Sequence, residues 1–257
     1  MSRPYVFHWQ LATGNAILNP MVKKWSFKVF VFVWLALAIS FVTLAVSLTV
    51  AAAGYRFNWQ ARTIIKTGLI VLESDPTGAA VEINGKDLAA STPLRQTYLL
   101  PGYYDVLIRL DGYMSFQKTV KVESGKAHYE DTITLFREVP EQLTLTAQEQ
   151  TELSARLGEI TPQLRDDKLE VRGSEIWVDD RLAARLFSEI KQVKWFPSKR
   201  AYFVQSDKAL HVYQLDGSND YVIAIFDSAD ATPFLVDQNG ERLVFKRGES
   251  VVAYRIH

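Results

Sequence analysis

The chain has 257 residues and balances 29 Lys and Arg against 29 Asp and Glu, so neither a global charge nor a local basic block points to nucleic acid. It contains no cysteine, which removes disulfides, thiolate nucleophiles and cysteine-based zinc sites together. Once the amino-terminal part is set aside, about 200 residues remain, enough for one large or two small domains.

Residues 1–25 hold Pro4, Gly14 and Pro20 and no periodicity, and read as a short tail. An uncharged run then begins at Val29 and ends at Tyr55. A helix needs ~20 mostly apolar residues to cross the bilayer core, and in lipid an isolated run can satisfy its backbone only as a helix. The expectation is one transmembrane helix over residues 26–55, with the lipid bilayer as its partner. Lys23, Lys24 and Lys28 precede the run, while Arg56, Arg62 and Lys66 follow it more sparsely. The positive-inside rule then favours a cytoplasmic tail and an extracytoplasmic body. A cleaved signal peptide is the rival, with Ala51-Ala52-Ala53 for the cut. The run far exceeds the roughly 7–15 apolar residues of a signal peptide, which favours an uncleaved anchor. Ala36, Ser40, Thr43 and Ser47 fall near one helical face, either for a helix–helix contact or with hydroxyls bonded to the preceding turn; the second is the expectation. Tyr55, Phe57 and Trp59 lie where an aromatic belt is expected. Asn58 to Lys66 reads as two further helical turns, a stalk over residues 56–67 ended by Gly68.

From Leu69 the period changes to that of strands. Asp75-Pro76-Thr77-Gly78, Asn84-Gly85, Pro101-Gly102 and Asp111-Gly112 are turn signals. Tyr104, Val106, Ile108 and Leu110 alternate with Asp105 and Arg109. Six or seven short strands over residues 68–136 predict a small β-sandwich. Ser74-Asp75-Pro76-Thr77-Gly78-Ala79, Asn84-Gly85-Lys86, Thr92-Pro93-Leu94, Pro101-Gly102-Tyr103 and Gly112-Tyr113 resemble the PEGA domain family in order and spacing, with Thr77 where the family's name has Glu. The resemblance implies a β-sandwich of bacterial surfaces, often beside a transmembrane helix, serving attachment or binding, and implies no catalytic residue. Tyr103, Tyr113 and Phe116 are the candidate binding residues for a glycan; more often such aromatics fill a sandwich core or its rim.

Residues 137–167 read as a polar linker with one short helix, capped by Thr146 and Glu149 and carrying Leu153, Leu157 and Ile160 as a stripe. Residues 168–257 contain three similar strand–turn–strand units, at 168–178, 200–215 and 241–256. The last two align at an offset of 41, pairing Phe203 with Val244, Leu210 with Val251, Tyr213 with Tyr254 and Leu215 with Ile256. This resembles β-propeller blades in general. Propellers need about 4–8 blades, so the units form either a small twisted β domain, which is favoured, or a ring closed by another chain.

His8, His128, His211 and His257 are scattered, and no zinc, phosphate-loop or nucleophile motif appears; Asp237 to Glu241 reads as a hairpin turn rather than a calcium loop. The expectation is an all-β body, a sandwich plus a blade-like antiparallel domain, on one transmembrane helix. It would act as a non-catalytic surface module without cofactor or metal, in a bacterial cell membrane. Its partners would be an envelope glycan, a surface protein or a second copy. The alternative is a sensor or assembly subunit that relays contact to a cytoplasmic partner through the tail.

Overall fold

The computed structural model describes residues 27–59 and 62–257. The predicted tail, with Lys23 and Lys24, lies outside these residues. The described chain divides into two units, one ending at Ala52 and the other spanning Ala53–His257.

The first unit is helix α1, Phe27–Ala52. Its 26 residues rise about 39 Å, more than the ~30 Å hydrocarbon core. Among the described residues, one helix is thus long and apolar enough to cross a membrane. Thr43 Oγ1 donates to the Ile39 carbonyl at 2.8 Å and Ser47 Oγ to the Thr43 carbonyl at 2.7 Å. These hydroxyls are satisfied within the helix, as the second reading of that face expects.

The helix stops at Ala52, earlier than the apolar run suggests, and neither Asn58 nor Thr63–Lys66 prolongs it. Gly54 has φ of +81°, a left-handed conformation that ends helices. The following Tyr55–Asn58 (β1) and Thr63–Lys66 (β2) pair as an antiparallel hairpin. Thr63, Ile64 and Ile65 are β-branched, and their stiff side chains favour the strand. Thr67 closes the base by donating from its backbone and hydroxyl to the Gly54 carbonyl at 2.9 and 2.7 Å.

Seven strands form the sandwich: Gly68–Asp75 (β3), Ala80–Ile83 (β4), Lys86–Ser91 (β5), Leu94–Leu99 (β6), Gly102–Arg109 (β7), Phe116–Val122 (β8) and Ala127–Thr134 (β9). One sheet has the order β6-β3-β9, with β3 and β9 parallel; the other has the order β5-β4-β7-β8. Alternate residues meet between the sheets: Ile70, Leu72, Val81, Val106, Ile108 and Val120 are buried together. Gly68 lies where an ideal Cβ would be 2.5 Å from Val122 Cγ1 and 2.6 Å from the Glu123 carbonyl, so only glycine fits there.

The remaining strands build three four-stranded antiparallel sheets. The first joins Arg165–Asp166 (β11), Leu169–Arg172 (β12), Glu175–Val178 (β13) and Arg181–Arg185 (β14). The second joins Ile190–Trp195 (β15), Ala201–Ser206 (β16), Ala209–Gln214 (β17) and Tyr221–Ile225 (β18). The third joins Phe234–Val236 (β19), Arg242–Arg247 (β20) and Ser250–Arg255 (β21) to a strand from far upstream, Glu141–Leu143 (β10). The polar stretch before the sheets therefore supplies the strand that covers the β21 edge. It also supplies helix α2, Ala147–Gly158, with the capping box formed between Thr146 and Glu149.

The three hairpins read from the sequence are strand pairs within these sheets. Paired positions share a direction: Phe203 and Val244 point toward the next layer, and Tyr213 and Tyr254 toward the previous one. The sheets form a row rather than a closed ring. The first and second bury Leu169, Ile176, Tyr202 and Val204 between them, and the second and third bury Phe203, Val212, Phe234 and Phe245. Leu157 of α2 covers the far face of the third through Val244, Val251 and Ala253. The first sheet's outer face is open, and Arg172 lies over the Trp177 ring there at 4.7 Å.

The sandwich and the row of sheets pack as one body. Phe136, just past β9, is buried in the core between the second and third sheets. Tyr221 donates to the Ser115 carbonyl at 2.8 Å, and the Asn219 amide bonds both the N–H and the carbonyl of Gln117 at 2.9 Å.

Candidate binding cleft

The three aromatics read as a glycan platform do not share a surface. Tyr103 is exposed, Tyr113 is half-buried with Arg137 over its ring at 5.4 Å, and Phe116 is 1% exposed in the sandwich core. Along the β7–β8 ladder Tyr103 pairs with Lys121 and Ile108 with Phe116. These pairs lie five residues apart, about 17 Å at 3.3–3.4 Å per residue. Phe116 is corrected to a core residue, because it shares its strand face with buried Val120 and Val122.

The structure brings other residues together. Between the first and second sheets lies a cleft of about 600 Å³, lined by Arg185, Phe187, Ser188, Ser206, His211, Tyr213 and Asp220 among others. Ser206, His211 and Tyr213 come from neighbouring strands β16 and β17, on the face turned toward the first sheet. Phe187 and Ser188 come from the loop after β14, and Asp220 from the turn before β18. Among the described residues, no group of three or more His, Asp or Glu could hold a metal ion.

Three of the polar groups form a connected cluster. Asp220 Oδ1 lies 2.6 Å from His211 Nδ1, and Tyr213 donates its hydroxyl to Asp220 Oδ2 at 2.9 Å. Bonding to a carboxylate makes Nδ1 the donor. The Ser188 and Ser206 hydroxyls hydrogen-bond each other rather than His211. The rings of His211, Tyr213 and Tyr202 follow one another at 5.9 and 5.8 Å between centroids, nearly parallel.

Burial pushes the Tyr213 phenol above its ordinary value, and its bond to Asp220 adds to this, so it remains a donor at physiological pH. Burial would raise the Asp220 carboxyl, but the hydrogen bonds from His211 and Tyr213 outweigh it and hold the group below the usual range. The stabilisation by charged Asp220 is therefore present above the ordinary carboxylate value of ~3.9 and is lost as pH falls through its lower folded value. Asp220 is about half exposed, so the contribution is modest. Asp220→Asn is expected to lower stability by about 1 kcal/mol or less at pH 7. In urea titrations the gap from wild type should close below about pH 4; an equal gap at pH 7 and pH 3 would contradict this account.

Little in the sequence points to this cleft. His211 and Tyr213 are two apart on one strand, but Asp220 reaches them only through the β17–β18 turn, and Phe187 and Ser188 only through sheet stacking. Among curated proteins none matches this chain. Residues 67–135, the sandwich packed against the row of sheets, match the family model described as the PEGA domain.

Proposed function

We propose that the protein is a membrane-anchored, non-catalytic surface module that binds an envelope saccharide in the cleft between its first two sheets. Helix α1 is the anchor, the tail is cytoplasmic, and the PEGA domain and the sheets stand outside a bacterial cell. The observation that carries the ligand class is the pairing of a fully exposed Phe187 ring with the Asp220–His211–Tyr213 cluster in one cleft. A sugar ring offers an apolar face to an aromatic side chain and hydroxyls to fixed acceptors and donors. His211 is engaged by Asp220 and neither cleft serine is hydrogen-bonded to it, which favours binding over acyl-transfer chemistry.

The test is binding of cell-wall glycan fragments to the full chain in nanodiscs. Phe187→Ala removes a side chain that makes no core contribution, and should weaken binding about tenfold, ~1.4 kcal/mol. Equal affinity in wild type and variant would remove the saccharide reading. Protease digestion of a tag after His257 on spheroplasts checks the orientation: a protected tag would place the body inside.

A further inference from the structure

The hairpin that follows α1 has an unpartnered apolar face. Its register pairs Tyr55 with Lys66, Arg56 with Ile65, Phe57 with Ile64 and Asn58 with Thr63. Side chains alternate across a strand, so Tyr55, Phe57, Ile64 and Lys66 share one face, and Arg56, Asn58, Thr63 and Ile65 the other. The second face turns toward the sandwich: Arg56 lies over the Tyr98 ring at 4.8 Å, and Asn58 and Ile65 are half-buried. The first face is open, with Tyr55, Phe57 and Ile64 all exposed. Trp59, 84% exposed, extends it and meets Phe57 edge-on at 4.8 Å between ring centroids.

We propose that this face lies in the interfacial layer of the bilayer, as a β-hairpin collar that follows the span in the chain. The inference rests on α1 being a membrane span. Three features select lipid over a protein partner. Only Ala53 and Gly54 separate the hairpin from the end of α1, so the chain itself holds the hairpin within reach of the membrane surface. The open face combines Tyr and Trp with an aliphatic side chain, and these rings favour the boundary between headgroups and acyl chains. The segment between Gly54 and Thr67 carries Arg56, Arg62 and Lys66 and no acidic residue, which suits anionic headgroups. A two-stranded sheet is marginal by itself in water, so burial of its open face in the interface would also support its fold.

The cysteine-free chain permits single-site labelling. Phe57→Cys, Ile64→Cys, Leu44→Cys and Leu182→Cys would each carry an environment-sensitive fluorophore. The full chain would be reconstituted in vesicles of phosphatidylcholine and phosphatidylglycerol with nitroxides at graded depths. Leu44 lies mid-helix and reports the span; Leu182 lies exposed on β14 and reports the aqueous side. The Phe57 and Ile64 labels should be quenched at least about twofold more by shallow nitroxides, ~5–10 Å deep, than by central ones, and should resist aqueous iodide. If these labels are open to iodide as Leu182 is, while Leu44 is quenched from the centre, the collar is wrong and the span stands. Shielding from both iodide and lipid would mean that protein covers the face, which also overturns the proposal. A Leu44 label untouched by central nitroxides would overturn the span, and the collar with it.

Discussion

Replacing Phe136 with Ala is expected to destabilise the extramembrane body by about 3–5 kcal/mol, the range for removing a fully buried Phe. Phe136 follows the last sandwich strand, but its ring is fully buried in the other half of the body. It meets Phe196 edge-on at 5.6 Å and Tyr221 at 5.9 Å between centroids. Its carbonyl accepts from Met114 N–H at 2.7 Å, and the next residue, Arg137, donates to the Ile256 carbonyl at 2.9 Å. The sandwich, the second sheet and the chain's last strand thus meet at this residue. The loss should be felt by both halves. Residues 67–135 contain no Trp, whereas Trp177 and Trp195 lie in the first two sheets. With Trp9, Trp25, Trp34 and Trp59 replaced by Phe, urea unfolding followed by tryptophan fluorescence reports the sheets, and far-UV circular dichroism reports both halves. The two curves should coincide in the wild type and move together in the variant. If the fluorescence curve moves and a circular dichroism phase stays at its wild-type midpoint, the sandwich is an independent folding unit.

Features governed by local pattern were legible in the sequence. The uncharged run makes α1, alternation makes β7, and Thr146 with Glu149 caps α2. The same alternation sets Phe116 beside Val120 and Val122 on the core face, so its burial was open to reading in the strand pattern. What depends on distant pairing was not legible. The parallel union of β3 and β9 and the addition of β10 to β21 join segments more than 50 residues apart. The hairpin after α1 was misread because four-residue strands offer too little period to outweigh an adjoining helix. The cleft was hidden for another reason: its residues are drawn from two strands, a loop and a turn, and only stacking of the sheets makes them neighbours.

Gly217→Ala is expected to cost about 2–5 kcal/mol and to disturb the cleft at the same time. Two effects combine. Gly217 has φ of +77°, where an L-residue is strained by roughly 1–2 kcal/mol. An ideal Cβ there would also lie 2.0 Å from the Ala183 carbonyl oxygen, which belongs to the β14 backbone and cannot rotate aside; overpacking of this kind typically costs about 1–3 kcal/mol. The turn has little freedom to withdraw. Asp216 accepts from the Ser218 hydroxyl at 2.6 Å and pairs with Lys118 of the sandwich at 3.3 Å, and Asn219 is bonded to Gln117 on both sides. The strain should therefore pass to β14 and to Asp220, the two walls of the cleft. Gly173→Ala isolates the conformational effect, since Gly173 has φ of +67° with nothing within 4 Å of its Cβ position. Its expected cost is the roughly 1–2 kcal/mol of left-handed strain alone. Urea midpoints compare the two variants, and glycan binding at a temperature where both are folded compares their clefts. Gly217→Ala should lose both more stability and more affinity. If it matches Gly173→Ala in both, the β17–β18 turn can move off β14 freely, and the cleft is not a preformed site.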